Sequence, residues 1–211
     1  MTDHRPAPIE FAARGDAEEV GRAELYGLLS RLWLAPPDAA LLEQFRVAVT
    51  EAPERGGHLE QPWQDLVAAM RATHVEQATA EFTALFQGVG KPEVFVFGSF
   101  YLTGVLNDRP LADLRTDLQT LGLGRDEGRM ETEDHVSFVL EVMRYLIAGD
   151  DLGAGHLATQ QRFFNTQLRP WADALWDALE AHPKSGFYRA LAAFARDFFS
   201  VEAQAFDMTD A

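Results

Sequence analysis

Apolar residues recur at helical spacing through most of this chain. Leu25, Leu28, Leu29, Leu32 and Trp33 share one face of a 3.6-residue period, and Pro36-Pro37 ends the run. Asp16-Ala17-Glu18-Glu19 predicts its start, with Asp16 as N-cap and Glu19 reaching back. Asp38 predicts the cap of a second helix carrying Leu41, Leu42, Phe45 and Val49, closed by Pro53, and Gly56-Gly57 marks a loop. Trp63, Leu66, Val67, Met70, His74, Phe82, Leu85 and Phe86 continue the period from about Pro62 to Phe86, with a break possible near Thr73.

The second half repeats the theme. Ser99 predicts a helix through Tyr101, Leu102, Val105 and Leu106, closed by Asn107 to Pro110. Leu111, Leu114, Leu118 and Leu121 predict another, with Gly122 just past its end. Val136, Val139, Leu140, Met143, Leu146 and Ile147 predict a buried helix with Asp134-His135 in its first turn. Three more follow: Leu157, Phe164 and Leu168, halted before Pro170; Trp171, Leu175 and Leu179, started by Pro170; and Phe187, Leu191, Phe194, Phe198 and Phe199, capped by Ser185. Val94-Phe95-Val96-Phe97 is the one strand-like run and has no partner run, so it reads as a buried connector. The sum is an all-α single-domain bundle of about nine helices over residues 16–205, behind a mobile tail at 1–15.

Composition narrows the function. The 211 residues are 47% hydrophobic with 15 Phe, enough for one sizeable core. Cysteine is absent, so disulfides and thiolate metal sites are excluded. No signal-peptide run or membrane-length apolar stretch occurs, which predicts a cytoplasmic protein without stable membrane insertion. With 33 acidic against 18 basic residues, the formal charge is -15. Such a surface repels nucleic acid and suits a basic partner, or simply keeps the chain soluble.

Catalytic constellations are missing. The sequence has no His-Glu-x-x-His, no phosphate-cradling loop, no nucleophile elbow and no metal or cofactor motif. His135 as the base of a small helical enzyme is the remaining catalytic alternative, and it lacks an identifiable third partner. A binding protein fits better. Asp134 reads either as an acid favoured at a helix start or as a carboxylate gripping a guanidinium. His135 reads as a satisfied, partly buried histidine or as a ligand anchor. Leu85-Phe86 reads as core or as the wall of an apolar groove, and Phe95, Phe97 and Phe100 read as core.

An ordered set of short motifs carries a resemblance. Glu81-Phe82-x-x-Leu85-Phe86-x-Gly88, Ser99-x-Tyr101, Gly122-Leu123, Asp134-His135 and Glu141-x-Met143-x-x-Leu146 come first. Gln161-Arg162-x-Phe164, Leu168-x-x-Trp171 and Phe187-Tyr188 follow. Together, over about residues 20–200, they resemble the TorD/DmsD/NarJ family of redox-enzyme maturation chaperones. The chain departs from the family pattern at Phe82, Ala84, Glu133 and Gln167, where Tyr, Arg, Pro and His are usual.

The resemblance implies a TorD-like, all-helical cytoplasmic chaperone. It would bind a molybdoenzyme precursor, through the twin-arginine signal peptide, the apoenzyme or both, and assist cofactor insertion before export. It implies peptide-binding residues at Leu85, Phe86, Asp134 and His135, and a monomer or helix-exchanged dimer, for which the Gly- and Asp-rich loop Gly149 to Gly155 reads as a hinge. The alternative client is a non-exported subunit of the nitrate-reductase type.

Overall fold

A computed structural model describes residues 14–48, 57–88, 90–124, 131–149 and 156–209. Among the described residues ten α-helices run in order: α1 (Arg14–Leu34), α2 (Ala39–Val47), α3 (Glu60–Ala72), α4 (Val75–Phe86), α5 (Gly98–Thr103), α6 (Arg109–Thr120), α7 (Val136–Ala148), α8 (His156–Phe163), α9 (Ala172–Ala181) and α10 (Phe187–Thr209). The described residues contain no strand, only an isolated antiparallel bridge between Phe97 and His135. The all-α expectation holds.

The tenth helix comes from the long pattern before Phe86. Thr73 takes an extended conformation and its hydroxyl donates back to the Ala69 carbonyl at 2.7 Å, which closes α3 and lets α4 start afresh.

α7 is the hub. Eight of its thirteen residues are buried, among them Val139, Leu140, Met143 and Leu146. A helix apolar over most of its circumference must be surrounded. α1 lies along one side, where Gly27 meets the Arg144 side chain and the hydroxyl of Ser30 donates to the Ser137 carbonyl at 2.8 Å. α10 packs on α9 and α3, and Trp33, Trp176, Phe86, Phe82 and Tyr188 form a continuous aromatic cluster between α1, α4, α9 and α10.

Several boundaries differ from the sequence expectation, each for a local reason. α1 begins at Arg14, two residues before the expected cap Asp16. α5 ends at Thr103, because Gly104 takes φ 78° and turns the chain. Leu102, Val105 and Leu106 are therefore exposed instead of lying on a buried stripe. Arg109-Pro110 opens α6 rather than closing α5, since a first-turn proline loses no hydrogen bond. After α8 the chain makes one π-helical turn (Phe164–Leu168), in which the Arg169 N–H reaches back to the Phe164 carbonyl at 2.9 Å. Pro170 then lies before α9, whose N-cap is Trp171.

Ser185 does not cap α10. Its hydroxyl is buried without a partner. The Glu81 carboxylate on α4 does the work, accepting the N–H groups of Gly186, Phe187 and Tyr188 at 2.8–3.0 Å. Three orphan donors and a helix N-terminus converge on one negative charge. The expected tail, apart from Arg14 and Gly15, and the expected hinge beyond Gly149 lie outside the described residues.

Candidate functional site

The connector 94–98 ties together the residues singled out in the sequence. At one end the Val94 N–H donates to the Leu85 carbonyl at 3.0 Å. At the other the Val136 N–H donates to the Val96 carbonyl at 2.8 Å and the Gly98 N–H to the Asp134 carbonyl at 2.9 Å. An extended chain rises about 3.3 Å per residue, so the end of α4 and the start of α7 stand on the order of 10 Å apart.

Asp134-His135 precedes the first turn of α7 instead of lying in it. His135 is the N-cap and accepts the Ser137 N–H on Nδ1 at 3.1 Å. That bond fixes the neutral ring's proton on Nε2. Burial pushes the imidazole down to about 4, against the upward pull of the Glu131 and Asp134 carboxylates. The ring stands edge-on to Phe97, with centroids 5.2 Å apart. It is a neutral donor with its acceptor nitrogen already engaged, an arrangement ill suited to general-base catalysis.

Asp134 is 4% exposed. One oxygen accepts both the backbone N–H of Ser99, at 3.0 Å, and its hydroxyl; the other accepts the Thr132 hydroxyl at 2.6 Å. The carboxylate is thus committed to the chain's own donors. It caps α5 from across the fold, as Glu81 caps α10.

Leu85 is fully buried. Phe86 is half-buried and packs edge-on to Tyr188, Phe82 and Trp33, at centroid distances of 5.0, 5.1 and 6.1 Å.

Two of the residues at which the family pattern differs, Glu133 and Gln167, have partners in the fold. Glu133 pairs in bidentate fashion with Arg115 on α6, at 3.1 and 2.8 Å. Gln167 donates to Asp117 at 2.7 Å, and its carbonyl accepts the Trp171 indole N–H at 2.6 Å. The Trp171 ring lies against Gly98, where a Cβ would come within 2.9 Å of the indole, so only glycine fits. The Tyr101 hydroxyl, pushed up in pKa by burial, donates to the Phe95 carbonyl at 2.8 Å. Several residues behind the resemblance, Leu85, Ser99, Tyr101, Asp134, His135 and Trp171, therefore build the frame around the connector.

Over that frame lies an apolar surface, of which Phe95, Phe97 and Phe100 were expected in the core. Phe95, Phe97 and Phe100 are only partly buried, with Phe95 and Phe100 stacked at 4.0 Å. Leu102, Val105 and Leu106 are exposed by 43%, 58% and 38%. Asp108, two residues beyond Leu106, is exposed and makes no side-chain capping bond. The sequence signal for this surface was Gly104, which ends α5 before the apolar period can be buried. No group of three or more metal-ligating side chains occurs among the described residues, and no described helix is long and apolar enough to cross a membrane.

Comparison with known proteins adds to this geometry. The family described as nitrate reductase delta subunit matches residues 53–177. A protein named Chaperone protein TorD from Aliivibrio fischeri is 26% identical over 198 residues, 86% of this chain and 92% of the relative. Proteins of the same name from Photobacterium profundum and Aliivibrio salmonicida are 26% and 25% identical, over 83% and 86% of this chain and 77% and 92% of their own lengths.

Proposed function

We propose, because the chain belongs to the nitrate reductase delta subunit family of TorD-like chaperones, that it recognises a molybdoenzyme precursor by its twin-arginine leader. As a member of that family it is a maturation chaperone for a molybdoenzyme and not an enzyme. Recognition of the leader is the further step. The observation that carries it is the exposed apolar surface of Leu102, Val105 and Leu106 beside the connector.

A twin-arginine leader is basic and then apolar. Its apolar run would lie on Leu102, Val105 and Leu106, where removing apolar area from water contributes about 25 cal/mol per Å². Its arginines would face the exposed Asp108, in a chain of formal charge -15. Of the four peptide-site residues, Phe86 is half-buried and would supply contact, and His135 is buried beside Phe97 and would help to hold the connector. Leu85 and Asp134 act beneath them as positioning residues, Asp134 by holding α5 to α7. Binding in the cytoplasm before export would keep the precursor from leaving until its cofactor is in place.

The family's description favours one other client, a non-exported nitrate-reductase subunit. Co-expression separates the two. A precursor retained on the tagged chaperone only while its leader is present supports leader recognition. Equal retention of the leaderless form supports the other client, and retention of neither overturns both.

A further inference from the structure

The apolar surface beside the connector carries exposed groups of opposite charge at its two ends. Lys91 stands at the first. Its ammonium lies over the face of Phe95, 5.5 Å from the ring centroid, and Phe95 stacks on Phe100 at 4.0 Å. From Phe100 the surface follows the chain through Leu102, Val105 and Leu106 to Asp108. Neighbouring charges do not cancel either end. Glu93, two residues beyond Lys91, is engaged by Lys184 at 2.9 Å, with His182 at 3.8 Å from the same carboxylate. Lys91 has no ion pair among the described residues. At the other end Arg109 leans on Asp113, at 3.7 Å, and leaves the Asp108 carboxylate unpaired.

We propose that these two groups make the surface directional, with the leader's arginines at Asp108 and the far end of its apolar run at Lys91, so that Lys91 selects leaders by the residue that follows the run. Apolar contact is indifferent to direction, because the hydrophobic effect is non-directional and follows only the area removed from water. Charges at the ends are what fix register and exclude wrong partners. An acidic residue after the apolar run gains a partner in Lys91. A neutral residue is accepted, and a basic one meets a like charge. A uniformly basic amphipathic peptide is therefore a poorer occupant than one basic at its start alone. Lys91 is exposed, so the discrimination is that of a surface charge pair, about two- to fivefold, and not an all-or-none choice.

The direction rests on the reading that the chain binds a twin-arginine leader, and its test separates the two. Three fluorescein-labelled leader peptides share the arginine pair and the apolar run. They differ at one position after the run, which is Asp, Gln or Lys. Each is titrated by anisotropy against the full chain as wild type, Lys91→Glu and Asp108→Lys. Both substitutions are at exposed positions, and the thermal melts stay unchanged. Wild type should bind the Asp peptide best and the Lys peptide worst, with about fivefold between them. Lys91→Glu should invert that order. Asp108→Lys should weaken all three alike and keep it. The same order in wild type and Lys91→Glu overturns selection by Lys91. An order inverted by Asp108→Lys, with all three weakened alike by Lys91→Glu, means that the leader lies the other way and overturns the direction. No effect of Asp108→Lys on any peptide moves the arginines to another carboxylate and overturns the direction as well. Equal binding of the three by wild type overturns the selection and leaves leader recognition standing, whereas binding of none overturns leader recognition itself.

Discussion

Ser99 donates both its backbone N–H and its hydroxyl to a single carboxylate oxygen of Asp134. This joins the first turn of α5 to the residue before the N-cap of α7, 35 positions away. Both donors are buried with the acceptor. Removing the carboxylate leaves them unpaired, which costs about 1–3 kcal/mol. Asp134→Ala should lower the melting temperature by several degrees, since 1 kcal/mol is worth about 2–4 °C at this size. Ser99→Ala, which loses only the hydroxyl, should lower it less. Thermal melts followed by circular dichroism check the order.

Glu81 and Ser185 offer a paired comparison at the start of α10. Glu81→Ala frees three N–H groups from their acceptor and should destabilise by about 2 kcal/mol in urea unfolding, as lost caps do. Ser185→Ala removes a buried hydroxyl without a partner and should be neutral or slightly stabilising. A larger loss at Ser185 than at Glu81 would reverse the capping assignment.

His135 gives a pH signature. Its pKa is about 4 in the fold against an ordinary 6.5, so as pH falls below 6.5 the unfolded chain takes up a proton that the native ring refuses. Stability therefore falls between pH 6.5 and about 4, by at most about 3 kcal/mol at ~1.4 kcal/mol per pH unit, and is flat from this source above that window. His135→Asn keeps an acceptor for the Ser137 N–H and removes the titration. Urea unfolding at several pH values should show a shallower acid limb for the variant.

Arg22 and Glu202 form a bidentate pair at 2.8 Å between α1 and α10, joined by the Tyr26 hydroxyl at 3.0 Å. The Glu202 side chain is 4% exposed. Glu202→Ala leaves the guanidinium held only by Glu19 at 2.8 Å and Gln160 at 3.3 Å and should cost about 2 kcal/mol, whereas Arg22→Met with Glu202→Leu should recover much of that loss. A double-mutant cycle in urea measures the coupling.

The helices were legible because burial of one face imposes a period, and α1, α6 and α7 follow theirs closely. What escaped were contacts with no periodic signature. Nothing local connects Glu81 to Gly186 or Asp134 to Ser99, because the acceptors reach across the fold to helix ends that the chain's own caps do not serve. Ser185 was a sound local choice overridden by a charge from α4. Leu102, Val105 and Leu106 read as one helix because apolar spacing continues past Gly104, while the helix itself stops at Thr103. At the candidate site the sequence singled out Leu85 and Asp134, which the structure joins through one connector, but it did not reveal that the Asp134 oxygens were already taken.

Leader recognition by the α5 surface is the central claim, and calorimetric titration of one twin-arginine leader peptide tests it directly. Wild type should bind, and Leu102→Asp with Val105→Asp should weaken binding at least about tenfold, or ~1.4 kcal/mol, with an unchanged melting temperature because both residues are exposed. Equal affinity in wild type and this variant would contradict the account.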